Sequence, residues 1–453
     1  MSDTEAKIEA QVARLRDLRA GPFAFFDVVS LGSRAVASLE LLLRGRSESI
    51  HQPRCLVADA LSAIGGTEAI GALRRALADS ICRDLDPVLR ASEGLVIGCI
   101  AEHLGRTGRP EIAEDLLAAL KVGCFPGCIL ALGRMRETRA APLLVRCLYD
   151  DVARESAAES LRALGSVAVA ELTRTVLEPH LVYGFEGASW KAGRAAAAIL
   201  LGEIGGPAAR APLLNALSDR SGEVRFAAAL ALCAQGQEAG ASVVPVLVHT
   251  LGAEAWTDTE AAKDALLALG EAAWPSIRAI IERRGADEPS ERQRRRAIEL
   301  ASRMGQMNPV RTLDLVAADP SSKVRAAAVS ALAMLPGDSS TRTLEHFLRD
   351  AEPGIRKLAV AALASRGPSI LTAFASLLGD SAREVRQEVA GALRQAGPAA
   401  LPALATALRA RPAGVLRYIR ASSRALLLWL RLGRGRLADG NSGRTQSPGR
   451  GTS

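Results

Sequence analysis

Aromatic side chains are scarce in this sequence. Phe, Trp and Tyr make up 3% of its 453 residues, whereas hydrophobic residues of all kinds make up 49%. Cores of β-sandwiches and β-barrels rely on aromatic and β-branched side chains. A core drawn mainly from Ala and Leu favours helices, because these two residues have high helix propensity and Ala lets helix axes approach closely. The composition therefore predicts an all-α protein.

Motifs of the common enzyme classes are also missing. The chain has no phosphate loop of the Gly-x4-Gly-Lys type, no Gly-x-Gly-x-x-Gly, no Gly-x-Ser-x-Gly and no His-Glu-x-x-His. Cys124 and Cys128 have a spacing that suits one helical face, but Pro126 disturbs the helix and no second pair completes four metal ligands. We assign no catalytic residue, no cofactor and no metal, and a non-enzymatic protein is favoured.

Long apolar segments are absent as well. The longest uncharged run, residues 239–253, contains Pro245 and is shorter than the ~20 apolar residues that a membrane-spanning helix needs. The first five residues contain no apolar signal region. Seven cysteines, an odd number on mostly apolar helical faces, indicate reduced thiols. We expect a cytoplasmic protein without a transmembrane segment.

Three near-copies of one pattern occupy residues 319–397. Each copy places an Asp before an Ala- and Leu-rich helix, and these residues, Asp319, Asp350 and Asp380, are 31 and 30 positions apart. This period is the length of two short helices and two turns. Such a hairpin is too small to bury its own apolar face, so neighbouring copies must stack to complete a core.

The same register extends through most of the chain. An Arg near the start of a helix is followed by a small residue, a Leu and then a Gly that is predicted to end the helix, as in the repeat that runs from Arg154 to Gly165. Gly105 and Gly133 are also predicted to end helices, although the Arg position there holds another residue. In the complete copies the Arg follows the Asp by six positions. An Asp there caps the helix, and the Arg can bond to that Asp or to its equivalent in the neighbouring repeat. These pairs are Asp219 with Arg225, Asp319 with Arg325, Asp350 with Arg356, and Asp380 with Arg386.

This pattern resembles the HEAT-repeat family, in particular its short bacterial branch that includes phycobilin-lyase-like repeats. The resemblance implies a right-handed α-α superhelix, a HEAT-type solenoid of about twelve helical hairpins. It also implies that the Asp and Arg residues form a ladder that locks successive repeats together. The fold serves scaffolds, enzymes and nucleic-acid binders alike, so it does not select a function by itself.

The repeat pattern gives three segments. Residues 1–32 are an N-terminal cap and lead-in, in which an amphipathic helix is predicted over residues 4–19. Residues 33–433 are the solenoid. Residues 434–453, rich in Arg, Gly and Ser, are a tail that we expect to be disordered.

An insertion before Gly205 groups three aromatic residues, Tyr183, Phe185 and Trp190, between glycines. Insertions in repeat proteins map to loops along one rim, which is often the binding rim. Two interpretations remain open. These side chains are either anchors for a partner or a structural plug that folds back on its own repeat.

Basic residues are concentrated in two places. The cluster from Arg283 to Arg296 is interleaved with acidic residues, which favours a self-paired loop over a phosphate contact. The formal charge of the chain is +8, and residues 403–453 contain ten arginines against one aspartate. Within this end, four arginines lie on one face of a predicted helix, opposite an apolar face. They are solvated or they contact an anionic surface, namely lipid headgroups or nucleic acid, or a partner subunit; the four are Arg417, Arg420, Arg424 and Arg431.

The favoured function is therefore a non-enzymatic scaffold or adaptor that binds a protein partner. The first alternative is a solenoid that binds nucleic acid or another anionic surface through its basic C-terminus. The second, implied only by the family resemblance, is a bilin-lyase-like enzyme or its chaperone subunit. The identity of the partner and the oligomeric state do not follow from the sequence.

Overall fold

Every regular element that the structure describes is an α-helix or a short 3-10 helix, and the described ranges contain no β-strand. The prediction of an all-α fold is confirmed. The chain divides into two compact units, Met1–Thr250 and Leu251–Ser453. The computed structural model describes residues 3–17, 21–45, 52–81, 87–179, 187–236, 240–282 and 291–410.

The first unit contains fifteen of the described α-helices. Their bounds are α1 (Asp3–Ala13), α2 (Gly21–Ser30), α3 (Val36–Arg44), α4 (Gln52–Ile64), α5 (Gly66–Ile81), α6 (Pro87–Arg106), α7 (Pro110–Val122), α8 (Pro126–Arg134), α9 (Ala141–Cys147), α10 (Arg154–Leu164), α11 (Val169–Leu177), α12 (Ala188–Ile204), α13 (Arg210–Ala216), α14 (Gly222–Ala234) and α15 (Gly240–Thr250).

These helices form two layers. Each even-numbered helix from α2 to α12 contacts the next even-numbered helix, and each odd-numbered helix from α3 to α11 contacts the next odd-numbered helix. Each even-numbered helix from α4 to α14 also packs against the odd-numbered helix that precedes it. The core therefore lies between the layers, and each hairpin buries its apolar side against the next hairpin.

The second unit repeats this two-layer arrangement. Its even-numbered helices contact in sequence from α16 to α24, and α17, α19 and α21 form the start of the opposite layer. The bounds are α16 (Trp256–Leu269), α17 (Trp274–Glu282), α18 (Glu291–Arg303), α19 (Val310–Leu315), α20 (Ser322–Met334), α21 (Asp338–Phe347), α22 (Pro353–Leu363), α23 (Leu371–Leu377), α24 (Arg383–Ala396) and α25 (Leu401–Ala410).

The N-terminal cap is shorter than predicted. The helix that was expected over residues 4–19 ends at Ala13 as α1 and is followed by a 3-10 turn, Arg14–Arg16. Ile8, Val12 and Leu15 are buried, so the predicted apolar face is the one that packs. In the lead-in, α2 packs on α4 and therefore continues the even-numbered layer.

Two glycines that were predicted to end helices lie inside them. Gly105 belongs to α6 and Gly133 to α8, and both are points of close helix packing. A Cβ atom on Gly105 would lie 2.7 Å from the Cβ of Ala131, and one on Gly133 would lie 2.5 Å from the Oγ of Ser160. By contrast, Gly165 does end its helix, with a φ of 63°, a conformation that glycine adopts without strain.

None of the described helices has both the length and the apolar character that crossing a membrane requires.

The contact between α6 and α8 gives a direct test of close packing. A Cβ on Gly127 would lie 2.3 Å from the Cα of Gly98, so Gly127→Ala must push the two helices apart. We expect a loss of about 1–3 kcal/mol in the free energy of unfolding, measured by urea denaturation.

A matched control exists in α6. A Cβ on Gly94 would meet nothing within 4 Å beyond the backbone of its own helix, so Gly94→Ala should stabilise the protein by up to about 1 kcal/mol through helix propensity. Equal effects of the two substitutions would contradict the packing argument.

Candidate functional site

The predicted ladder residues meet at the turns between helices. In the second unit the Arg325 guanidinium spans two repeats: Nη1 donates to the backbone oxygen of Asp319 at 2.8 Å, while Nε and Nη2 donate to both carboxylate oxygens of Asp350 at 2.8 and 3.0 Å. Arg356 does the same one repeat later. It bonds the backbone oxygen of Asp350 at 2.7 Å and both carboxylate oxygens of Asp380 at 2.8 and 2.7 Å. Each arginine thus pairs with the carboxylate of the following repeat.

The aspartates hold the start of their own helices through the same carboxylates. An oxygen of Asp350 accepts the backbone N–H of Glu352 at 2.8 Å, and one of Asp380 accepts that of Ala382 at 2.8 Å. Both carboxylates are only 6% exposed. Burial raises the pKa of Asp380, but the hydrogen bonds from Arg356 and Ala382 outweigh it and leave this pKa below its ordinary value.

Two further Arg–Asp pairs between repeats, which we call rungs of the ladder, extend the pattern. In the second unit, Arg294 Nε lies 3.0 Å from an oxygen of Asp319. In the first unit, the fully buried Arg194 donates to Asp219 at 2.5 Å and to the backbone oxygen of Val176 at 2.5 Å. Both arginines again use a carboxylate 25 residues ahead.

The remaining predicted ladder arginines make only the bonds within their own turn among the described residues. Arg225 donates to the backbone oxygens of Asp219 and Arg220. Arg386 donates to those of Asp380 and Ser381. These two arginines therefore hold a turn but connect no further described carboxylate.

The described arginines of the basic cluster from Arg283 to Arg296 mostly make bonds within the protein. Arg296 donates to the backbone oxygens of Leu251 and Ala253, and Arg292 lies 3.4 Å from a carboxylate oxygen of Glu254. These contacts favour the self-paired interpretation. Arg283 and Arg284 lie outside the described residues.

One member of the cluster, Arg295, faces outwards. It is exposed, and no carboxylate within the described ranges lies at ion-pair distance from it. Together with Arg296, Glu299 and Ser302 it lines one side of a groove between α18 and α20. The groove has a volume of about 210 Å³, and its other side consists of Ala327, Ser330, Ala331 and Met334.

Apolar surface continues beyond this α18–α20 groove. Met334 is 72% exposed. The ladder arginines Arg325 and Arg356 are 31 positions apart, which is the repeat period here. The residue one period after Ala327 is Leu358 on α22, and its side chain is 42% exposed. The sequence pattern missed this surface, although its repeat register places these residues at equivalent positions.

The predicted aromatic insertion is described only in part. Trp190 lies in the first turn of α12, and its ring centroid is 3.9 Å from that of Tyr149, which follows α9. The helix approaches so closely that a Cβ on Gly193 would lie 2.4 Å from the Tyr149 ring. This contact favours the structural-plug interpretation for Trp190. Tyr183 and Phe185 lie outside the described residues.

The four C-terminal arginines of the predicted basic helix also lie outside the described residues; they are Arg417, Arg420, Arg424 and Arg431.

The cysteines do not assemble into a metal site in the part of the chain that the structure describes. No three Cys, His, Asp or Glu side chains there are grouped closely enough to hold a metal ion. Cys128 is buried in α8, where burial raises the pKa of its thiol to about 12. Cys124 is instead next to Cys147, whose hydrogen bond lowers the pKa of the Cys124 thiol.

Sequence comparison identifies HEAT repeats in two stretches, residues 178–270 and 341–423. No curated protein matches the sequence. The structure is similar to a chain of the Kap95:Nup1 complex, with a TM-score of 0.52 and 12% identity over 93% of this chain and 64% of that chain. For Kap95p bound to RanGDP the TM-score is 0.49, with 12% identity over 87% of this chain and 61% of the other. This chain therefore spans less than two thirds of either solved chain.

Removing one ladder arginine should destabilise the protein strongly. Arg356→Ala leaves the buried carboxylate of Asp380 without its counter-ion, and we expect a loss of about 3–5 kcal/mol. As a control, Arg162→Ala removes an exposed pair with Glu203 and should cost at most about 1 kcal/mol. Urea denaturation measures the loss in unfolding free energy for both variants. Similar losses would show that the buried Arg356–Asp380 pair stabilises the protein no more than the exposed pair does.

The lowered pKa of Asp380 predicts a pH dependence. A carboxyl with a lower pKa in the folded chain adds stability above its unfolded pKa of about 3.9, and this stability is lost as the pH falls through the folded value. The difference in unfolding free energy between the wild type and Asp380→Asn should therefore be constant near neutral pH and shrink below about pH 4. Denaturation at stepped pH tests this, and a difference that persists into strong acid would refute it.

Proposed function

Because this chain is a HEAT-repeat protein, we propose that it is a non-enzymatic scaffold that binds another protein, and that the partner lies in the α18–α20 groove. The observation that carries the proposal is the groove itself, which has the exposed cation Arg295 on its α18 side and the exposed apolar side chain of Met334 on its α20 side. Exposed apolar patches of this kind mark interaction sites on soluble proteins.

The chemistry of the groove indicates the kind of partner. Met334 offers a large, adaptable apolar contact, and the small side chains of Ala327 and Ser330 leave room for a bulky residue. An acidic residue of the partner would pair with Arg295. The partner segment is therefore one with apolar side chains next to a carboxylate.

The comparisons support protein binding in general terms. A chain with this fold forms the Kap95:Nup1 complex, so a stack of such repeats can hold a protein partner. A cytoplasmic location is likewise proposed from the sequence. The two alternative functions from the sequence, binding to an anionic surface and bilin-lyase activity, also stay hypotheses. In the described part of the basic cluster, Arg294 and Arg296 already bond protein atoms, which favours the protein-binding scaffold.

The groove can be tested with charge-changing variants. Partners are first purified with the full-length protein and identified, and their affinities for purified variants are then measured by calorimetry. We expect Met334→Asp and Arg295→Glu each to weaken binding about 10- to 30-fold, since the first removes the large apolar contact and the second replaces the cation that pairs with the partner's carboxylate.

Leu41→Asp is the matched control, because Leu41 is 74% exposed, close to the exposure of Met334, but lies on α3 in the first unit. It should leave the affinity unchanged. If both groove variants bind every partner as tightly as the wild type does, the groove is not the binding site.

Nucleic-acid binding has a separate test. Phosphate contacts are strongest at low ionic strength, so a gel shift with duplex DNA at low salt should show no complex. A salt-sensitive complex would favour the anionic-surface alternative over the scaffold.

A further inference from the structure

Two neighbouring helices of the first unit present reactive side chains at matching positions. On α4, Cys55 and Asp59 are one helical turn apart, and on α6 the same spacing separates Cys99 from His103. Residues four apart lie on the same face of a helix. Since α4 and α6 pack directly against each other, these four side chains belong to one interface.

Two contacts between α4 and α6 fix the register of this interface. The Nε2 atom of His103 lies 2.7 Å from a carboxylate oxygen of Asp59. At the adjacent turn the sulfur of Cys55 lies 4.0 Å from the backbone oxygen of Leu95, which is one turn before Cys99. Cys99 lies midway between Leu95 and His103 on this face of α6, and its thiol interacts directly with that of Cys55.

The surroundings of the two sulfurs differ. The hydrogen bond from Cys55, together with the nearby His103, holds the pKa of the Cys99 thiol below its ordinary value despite partial burial. The pKa of Cys55 is raised, first by that hydrogen bond and then by burial. Both residues are half-buried, so a small solute can reach them. Cys99 is therefore the nucleophile and Cys55 the neighbouring thiol.

We propose that Cys55 and Cys99 are a redox modification site that closes to a disulfide between α4 and α6 on reaction with hydrogen peroxide. The Cys99 thiolate attacks one peroxide oxygen, the O–O bond breaks, and the leaving oxygen takes a proton to become water. The resulting sulfenic acid is attacked by the Cys55 sulfur, which loses its proton as the second water leaves. Two thiols are oxidised and one peroxide is reduced. The site is independent of the proposed protein binding.

The chain contains internal controls for this chemistry. Cys124 and Cys147 are a second pair of neighbouring thiols, and the pKa of Cys124 is lowered, but Cys147 is fully buried, which hinders it from moving to resolve a sulfenic acid on Cys124. Cys233 is half-buried like Cys99, but burial raises the pKa of its thiol. The disulfide between Cys124 and Cys147 should therefore form more slowly than that between Cys55 and Cys99, and Cys233 should be oxidised more slowly than Cys99.

The test treats the full-length protein with hydrogen peroxide, blocks the remaining thiols with iodoacetamide and maps the peptides by mass spectrometry. We expect a linked peptide that joins Cys55 to Cys99, formed about tenfold faster than Cys233 is oxidised and reversed by dithiothreitol. Cys55→Ser should leave a sulfenic acid on Cys99 that a cyclic diketone traps.

Cys233→Ser is the matched control and should not change the rate of Cys55–Cys99 closure. Thermal unfolding of each variant, followed by circular dichroism, verifies that it is folded. The proposal is overturned if Cys99 is oxidised no faster than Cys233, or if the disulfide between Cys124 and Cys147 forms first. It is also overturned if the purified protein holds zinc at Cys55 and Cys99 in place of free thiols.

Discussion

The guanidinium groups of Arg325 and Arg356 are largely removed from water, and each regains hydrogen bonds from two sources at once. One guanidinium nitrogen donates to backbone oxygens of its own turn, and the other two donate to a carboxylate of the next repeat. A buried charge without a partner is costly. The next aspartate must therefore lie at one distance and one orientation, and this requirement sets how the hairpins joined by Arg325 and Arg356 are placed on one another.

Such rungs define position more than they add stability. Well-packed apolar residues can replace a buried ion pair with little loss, whereas breaking one partner is expensive. The apolar core between the two layers supplies the favourable free energy of folding. Close approach strengthens that core where glycines allow it, as at Gly105 against Ala131 and Gly133 against Ser160. The ladder sets the register between neighbouring hairpins, and the apolar packing stabilises that register.

The helices and the repeat could be predicted from the sequence because both follow from spacing, whereas the ladder was implied only by the resemblance to HEAT repeats. The sequence left open whether Arg325 pairs with its own Asp319 or with Asp350, since both are within reach of one extended side chain. The structure decides this, because the Asp319 carboxylate is turned towards the N–H of Ser321 and Arg294. The contact of Trp190 with Tyr149 could not be predicted, because no period connects residues 41 positions apart.

Position relative to the ladder also separates structural from variable residues. In the second unit the residue after each ladder arginine is Arg295, Ala326, Lys357 or Gln387, so the arginine is held by its hydrogen bonds while its neighbour changes charge and size from repeat to repeat. All four neighbours are at least partly exposed. Nothing in the rung depends on them, so these are positions at which we expect a partner to be recognised. Of these four, Arg295 lines the α18–α20 groove beside the exposed Met334, which is why binding is expected at α18 and α20.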